Sequence, residues 1–195
     1  MDSQSKIRTG TARKIRSRHH ANREKGVELL ELAFTLPLLL LMVAGIIDFG
    51  QAWAMKDQLT TAARNGARTA VADFNDTTNP QCGGTPCSVQ AAASAVVASL
   101  NQGNVNTCGL DPTAGGSASG AFTWTFTAPC ANPVTIVVER EVPLTVDGTT
   151  ALYTRVTVNY PFNWGFADVA GLTGVGNPFQ DTITLTSQEI MANLN

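Results

Sequence analysis

Apolar positions fall into three regimes along the chain. From Leu32 to Ile47 they are nearly continuous: LAFTLPLLLLMVAGII is sixteen residues without a charge. Beyond it, Phe49, Trp53, Lys56, Leu59 or Thr60, Ala63, Ala67 and Ala70 recur at three or four residues, the repeat of a helix face. From Ala121 onward the repeat changes to two, as in a strand with one buried side. The first two regimes predict one helix from about Val27 to Asp73, roughly 70 Å long at 1.5 Å per residue. Pro37 removes one backbone bond from it, a loss that neighbours in a membrane can make good. Gly66 and the alanines make one face narrow, fit to pack on the chain's own sheet or on a second subunit's helix.

Residues 75–87 and 109–120 are rich in turn formers and read as loops. Ser88 to Leu100 places Val89, Ala93, Val96, Val97 and Leu100 on one side of a short second helix, with Ser88 as N-cap. Four strands follow, over 121–127, 134–142, 151–160 and 181–190. The stretch 162–178, with four glycines, reads as a long loop. Short connections predict a mostly antiparallel sheet on one side of the helix, hence an α+β fold with a long N-terminal membrane-spanning helix. The expected division is a basic leader (1–26), the helix (27–73, membrane segment about 32–53) and an α+β domain (74–195).

Charge adds a direction. Residues 1–26 hold eight Lys/Arg against two Asp/Glu, and the remainder holds five against thirteen. About 20 apolar residues span a bilayer core, a length reached by extending the run back to Val27 and on to Trp53. A basic flank before the run and an acidic domain after it put the N-terminus in the cytoplasm and the domain outside. A cleaved secretory signal is the competing reading. Ala52-Trp53-Ala54 offers it a small-x-small site before Met55, against which stand Asp48, Gln51 and the bulky Trp53.

A carboxylate, Glu31, stands at the edge of the run. Within hydrocarbon such a group costs about 2.5 kcal/mol or more unless paired, which marks it as functional; snorkelling to the headgroups is the bland alternative. Lys25-Gly26-Val27-Glu28-Leu29-Leu30-Glu31 after a basic leader resembles the type IV prepilin processing site. Further along come Leu32-Ala33-Phe34, Pro37, Ile46-Ile47-Asp48-Phe49-Gly50 and Ala62-Ala63-Arg64-Asn65-Gly66-Ala67-Arg68. Together these resemble the TadE-like family of the tight-adherence (Flp, type IVb) pilus system over residues 25–71. The family usually has Glu where Asp48 stands and Phe after the first Glu, where this chain has Leu32.

The resemblance implies a pilin-like fold and a pseudopilin or minor pilin engaged in pilus assembly and cell adhesion, without catalysis. It implies cleavage by a prepilin peptidase between Gly26 and Val27. Glu31 would then pair with the new Val27 amine, on the same chain or a neighbour, during assembly. Its implied partners are that peptidase, other pilin or pseudopilin subunits and inner-membrane lipid. Implied localisation is the bacterial cytoplasmic membrane, single-pass, or a pilus built from it. Arg64 and Arg68 share a helix face, as a solvated pair or as a contact with another subunit or with lipid phosphate.

Cys82, Cys87, Cys108 and Cys130 all follow the membrane segment, where disulfides persist. Three pairings are open to four cysteines; the expected one is Cys82–Cys87 and Cys108–Cys130. A zinc site is the rival, but the spacings lack C-x2-C pairs and no histidine lies nearby. Both histidines, His19 and His20, lie in the leader, so no Ser-His-Asp or Cys-His mechanism is available after it. Phosphate loop, dinucleotide fingerprint and His-Glu-x-x-His are missing, and no cofactor is expected. Asp147, Asp168, Asp181, Glu139 and Glu141 supply carboxylates that nothing in the sequence pairs, which leaves glycoside hydrolysis open. The basic leader fits anionic lipid better than nucleic acid. Two other readings remain: a membrane-tethered binding or adhesion domain, and a secreted protein beginning at Met55.

Overall fold

The computed structural model describes residues 18–72, 76–146, 148–165 and 182–193. The chain divides into two compact units, residues 1–44 and 45–195. A single helix, α1 (Arg18–Ala72), supplies the described part of the first unit and enters the second. It begins nine residues before the expected start at Val27, within the basic stretch. It stays helical through Pro37, which leaves the Ala33 carbonyl without its usual helix donor. In the first unit, residues 26–43 are all exposed, the leucines included.

The second unit joins the rest of α1 to a second helix and a sheet. A two-stranded ribbon, β1 (Thr78–Asn79) with β2 (Thr85–Pro86), leads into α2 (Cys87–Gln102). Five strands then form an antiparallel meander in chain order: β3 (Ser117–Gly120), β4 (Thr123–Thr127), β5 (Thr135–Val146), β6 (Thr149–Asn163) and β7 (Thr182–Ala192). β1, β2 and β3 arise where loops were expected; β1 and β2 form the separate ribbon, and β3 gives the described sheet five strands rather than four. All three are short and built from small or turn-forming residues, which carry no period-two signal.

One sheet face is apolar. Register aligns Phe126, Ile136 and Val158 in one row and Trp124, Val138 and Val156 in the next, and all six are buried. Leu59, Ala62, Ala63, Ala67 and Ala70 of α1 share this core with Val89, Ala92, Ala93, Val96 and Leu100 of α2. The opposite face carries polar cross-strand pairs. Asn159 Nδ2 donates to Thr135 Oγ1 (3.1 Å), Thr186 Oγ1 donates to Asn159 Oδ1 (2.8 Å), and Arg155 meets Glu139 (3.3 Å).

Strand ends differ from the sequence reading in an instructive way. β5 and β6 run past 142 and 160, through Pro143 and Pro161. A proline cannot donate to a ladder and is tolerated at an edge. Each of these two lies where its strand has lost one neighbour. β4 pairs with β5 only as far as Glu139, and β5 pairs with β6 only from Asn159. A bulge between Glu139 and Val142 puts Glu141 at φ 57°, shifting the register of the outer half of the hairpin. Of the expected long loop 162–178, Phe162 and Asn163 lie in β6 and 166–178 lie outside the described residues.

Candidate processing and assembly site

Gly26, Val27 and Glu31 lie in α1 and are exposed. A Cβ added at Gly26 would meet nothing within 4 Å, so packing does not require glycine there. Its local effect is on the helix itself, which glycine weakens by about 1 kcal/mol relative to alanine. Val27 and Glu31 are four apart in a continuous helix and so share a face. Thr35 Oγ1 donates to the Glu31 carbonyl (3.0 Å), so its hydroxyl is satisfied within the helix.

The sequence places Phe49, Trp53 and Lys56 on one helical repeat with Ala63, Ala67 and Ala70. The structure rotates that stripe: the buried positions are Asp48, Ala52, Leu59, Ala62, Ala63, Gly66, Ala67 and Ala70, while Phe49, Trp53 and Lys56 are exposed. From Ala63 onward the expected face is the observed one. Small residues dominate the true stripe because two layers crowd it. A Cβ on Gly66 would lie 2.5 Å from Val96 Cγ2, 3.3 Å from the Ala92 carbonyl and 3.4 Å from Val156 Cγ1. The narrow face therefore packs on the chain's own helix and sheet. Asp48 heads the stripe at 8% exposure, and Gly165 sits against it, its would-be Cβ 3.1 Å from Asp48 Oδ1. Gly50 is exposed, with open space around it.

Arg64 is exposed and forms an ion pair with Glu189 of β7, 3.1 Å away. Arg68 is exposed on the same face. Lys56 Nζ donates to the Thr186 carbonyl, and Thr60 and Ser187 share a hydroxyl hydrogen bond of 2.9 Å. These three links fix α1 to the last strand. Cys82 is joined to Cys87 and Cys108 to Cys130. The first closes the turn around Gly83 and Gly84, both at positive φ; the second ties the loop after α2 to the β4–β5 connection.

One polar cluster escaped the sequence reading. Arg140 is buried, with Nη1 2.7 Å from Asp76 Oδ1 and 3.2 Å from the Asp76 carbonyl. The same carboxylate accepts from the Ser88 amide and the Ser88 hydroxyl, both at 2.7 Å. Ser88 is thus not the N-cap of α2; Pro86 holds that place without a side-chain bond, and Asp76 caps the helix from twelve residues upstream. A signal existed, since Arg140 continues the inward positions 136 and 138 at period two. Beside this cluster lies an open cavity of about 370 Å³, lined among others by Asp76, Phe122, Arg140 and Glu141. Phe122, two residues before the buried Trp124 and just outside β4, is exposed there.

Among the described residues two titrating groups depart from their ordinary ranges. Hydrogen bonds from the Thr113 hydroxyl and amide hold the Asp111 carboxyl below the usual value, and burial raises the Tyr160 phenol. Among the described residues no group of three or more His, Cys, Asp or Glu is placed to hold a metal ion. Asp147, Asp168 and Asp181 lie outside the described residues; Glu139 is engaged by Arg155.

No curated protein and no solved structure matches the chain. A family model does match, over residues 26–68, beginning at the glycine of the expected cut and ending at Arg68: by that stretch the chain is similar to the TadE-like protein family.

Proposed function

We propose that this chain is a pilin-like subunit of a tight-adherence type IVb pilus system, working by assembly rather than catalysis. The observation that carries the reading is an overlap. The family match over residues 26–68 contains the apolar run Leu32–Ile47, and residues 26–43 of α1 are exposed throughout. A helical segment whose leucines all face outward, as they do over residues 26–43, needs lipid or other subunits around it. A prepilin peptidase would cut between Gly26 and Val27. The new ammonium at Val27 would then stand four residues from Glu31 on the same face, where it offsets the cost of a carboxylate entering hydrocarbon. The basic leader is cytoplasmic and the disulfide-bearing domain lies outside, following the charge split. The inner membrane, its peptidase and neighbouring pilin or pseudopilin subunits are the implied partners.

The test is the intact mass and N-terminal sequence of the protein taken from its native membrane. A chain beginning at Val27, with or without one added methyl group, supports the reading. A chain beginning at Met1 or Met55 overturns it. The cavity beside Arg140 favours a second reading, a membrane-tethered domain that binds a ligand and enters no filament. Glu31→Ala separates the two. Failed assembly with the protein still membrane-bound belongs to the pilin reading, and undiminished function on the surface to the tether.

A further inference from the structure

Phe49 and Trp53 are 63% and 70% exposed, each next in sequence to a buried position of α1, Asp48 and Ala52. Their rings are neighbours, tilted 35° to one another with centroids 6.5 Å apart. Large aromatics that exposed need a partner, and the residues around them indicate which. The exposed surface of α1 is mostly apolar through Ile46, Ile47, Phe49 and Trp53, with Gln51 the one exposed polar residue among them. From Lys56 it turns polar, with Asp57, Thr61, Arg64, Asn65 and Arg68. The change takes one turn of helix. Asp48 and Ala52 are already covered by the second unit. A packing helix from a second subunit would give no reason for an apolar-to-polar change at this level; a lipid–water boundary does, and the amphipathic indole is the side chain enriched there.

We propose that Phe49 and Trp53 form an aromatic anchor seated in the headgroup region of the bilayer, fixing the depth at which α1 leaves the lipid. This rests on the membrane-spanning reading of α1. The occupant is the acyl–headgroup boundary, continuous with the apolar run that precedes the pair.

The experiment uses the full chain in phosphatidylcholine vesicles at about one protein per vesicle. Trp124→Phe and Trp164→Phe leave Trp53 as the single tryptophan of the three. Emission is read with lipids brominated near the glycerol end or near the methyl end of the acyl chain. A larger loss of emission with bromine near the glycerol end is expected. Trp124 is a core residue, so a second readout leaves it in place. All four native cysteines are in disulfides, so Gly50→Cys or Asp57→Cys carries the single thiol. A membrane-impermeant maleimide should label Asp57→Cys in vesicles, and Gly50→Cys only after detergent. Carbonate extraction is run alongside. Release from the vesicles overturns the membrane reading and the anchor with it. Retention with Trp53 unquenched and Gly50→Cys freely labelled overturns the anchor alone. Shielding of Gly50→Cys that grows with protein-to-lipid ratio, without bromine quenching, also overturns it and assigns the face to a second copy.

Discussion

Arg140 of β5 reaches across to Asp76, placing Nη1 2.7 Å from a carboxylate that also holds the first turn of α2. Both members are largely shielded from water, with side chains 6% and 15% exposed. Removing one partner of a buried pair costs about 3–5 kcal/mol, because the remaining charge stays buried. Asp76→Ala should therefore destabilise the second unit by an amount in that range, with a further part from the lost cap of about 1 kcal/mol. Urea unfolding in detergent, followed by near-ultraviolet circular dichroism, measures it. A loss below 1 kcal/mol would show that the pair is open to solvent.

Gly66→Ala tests the crowding between α1 and α2. Alanine favours the helix by about 1 kcal/mol, while forcing a methyl into a packed core costs about 1–3 kcal/mol. With Val96 Cγ2 only 2.5 Å from the new carbon, the steric cost should win. Val96→Ala removes that methyl. In its background Gly66→Ala should be neutral or stabilising, and the double-mutant cycle should show a coupling above about 0.5 kcal/mol.

The two disulfides should contribute unequally. Cys108 and Cys130 close a loop of sequence separation 22, Cys82 and Cys87 one of 5. Chain entropy assigns about 3 kcal/mol to a loop near the longer size and less to the short one. The paired replacement Cys108→Ser with Cys130→Ser should lower the midpoint of unfolding more than Cys82→Ser with Cys87→Ser. The opposite order would place the stabilisation in the turn before α2.

Asp111 accepts from both Thr113 groups and titrates below the ordinary carboxylate range. A depressed folded value means stability that is present above the unfolded value and lost as pH falls through the folded one. Thr113→Val removes the hydroxyl donor, so the Asp111 carboxyl should move back up toward its ordinary value. A carbon-detected NMR titration reads this directly. An unmoved titration would assign the shift to the amide bond alone.

Arg64→Ala should change stability by less than about 1 kcal/mol despite its ion pair with Glu189, because Arg64 is exposed and water screens the pair. A larger loss in the same urea experiment would show that the pair anchors α1 to β7.

Much of this architecture was legible from local pattern. The uncharged run Leu32–Ile47, the helical repeat after it and the period-two alternation of Trp124 with Phe126 and of Val156 with Val158 each report a single element. The motif from Gly26 to Arg68 was equally legible, since its residues are contiguous on one helix. What local pattern left open was how far the covered face extends toward the apolar run. Phe49 and Trp53 share a helical repeat with Ala63 and Ala67, and hydrophobicity alone selects the larger side chains for the core.

Sequence by itself determined the elements and their polarity: an apolar helix, a small-residue helix and a sheet with one greasy side. Each follows from the periodicity of neighbouring residues and needs no distant partner. Tertiary structure decided which stripe of α1 is covered, because Val96 of α2 and Val156 of β6 come so close at Gly66 that a side chain there has no room. It decided where β5 and β6 end, because Pro143 and Pro161 are admissible only once a neighbouring strand has stopped. It also brought Asp76, Ser88 and Arg140 into one cluster across 64 residues of chain. Such a pairing depends on the path of the backbone, and no local pattern encodes that path.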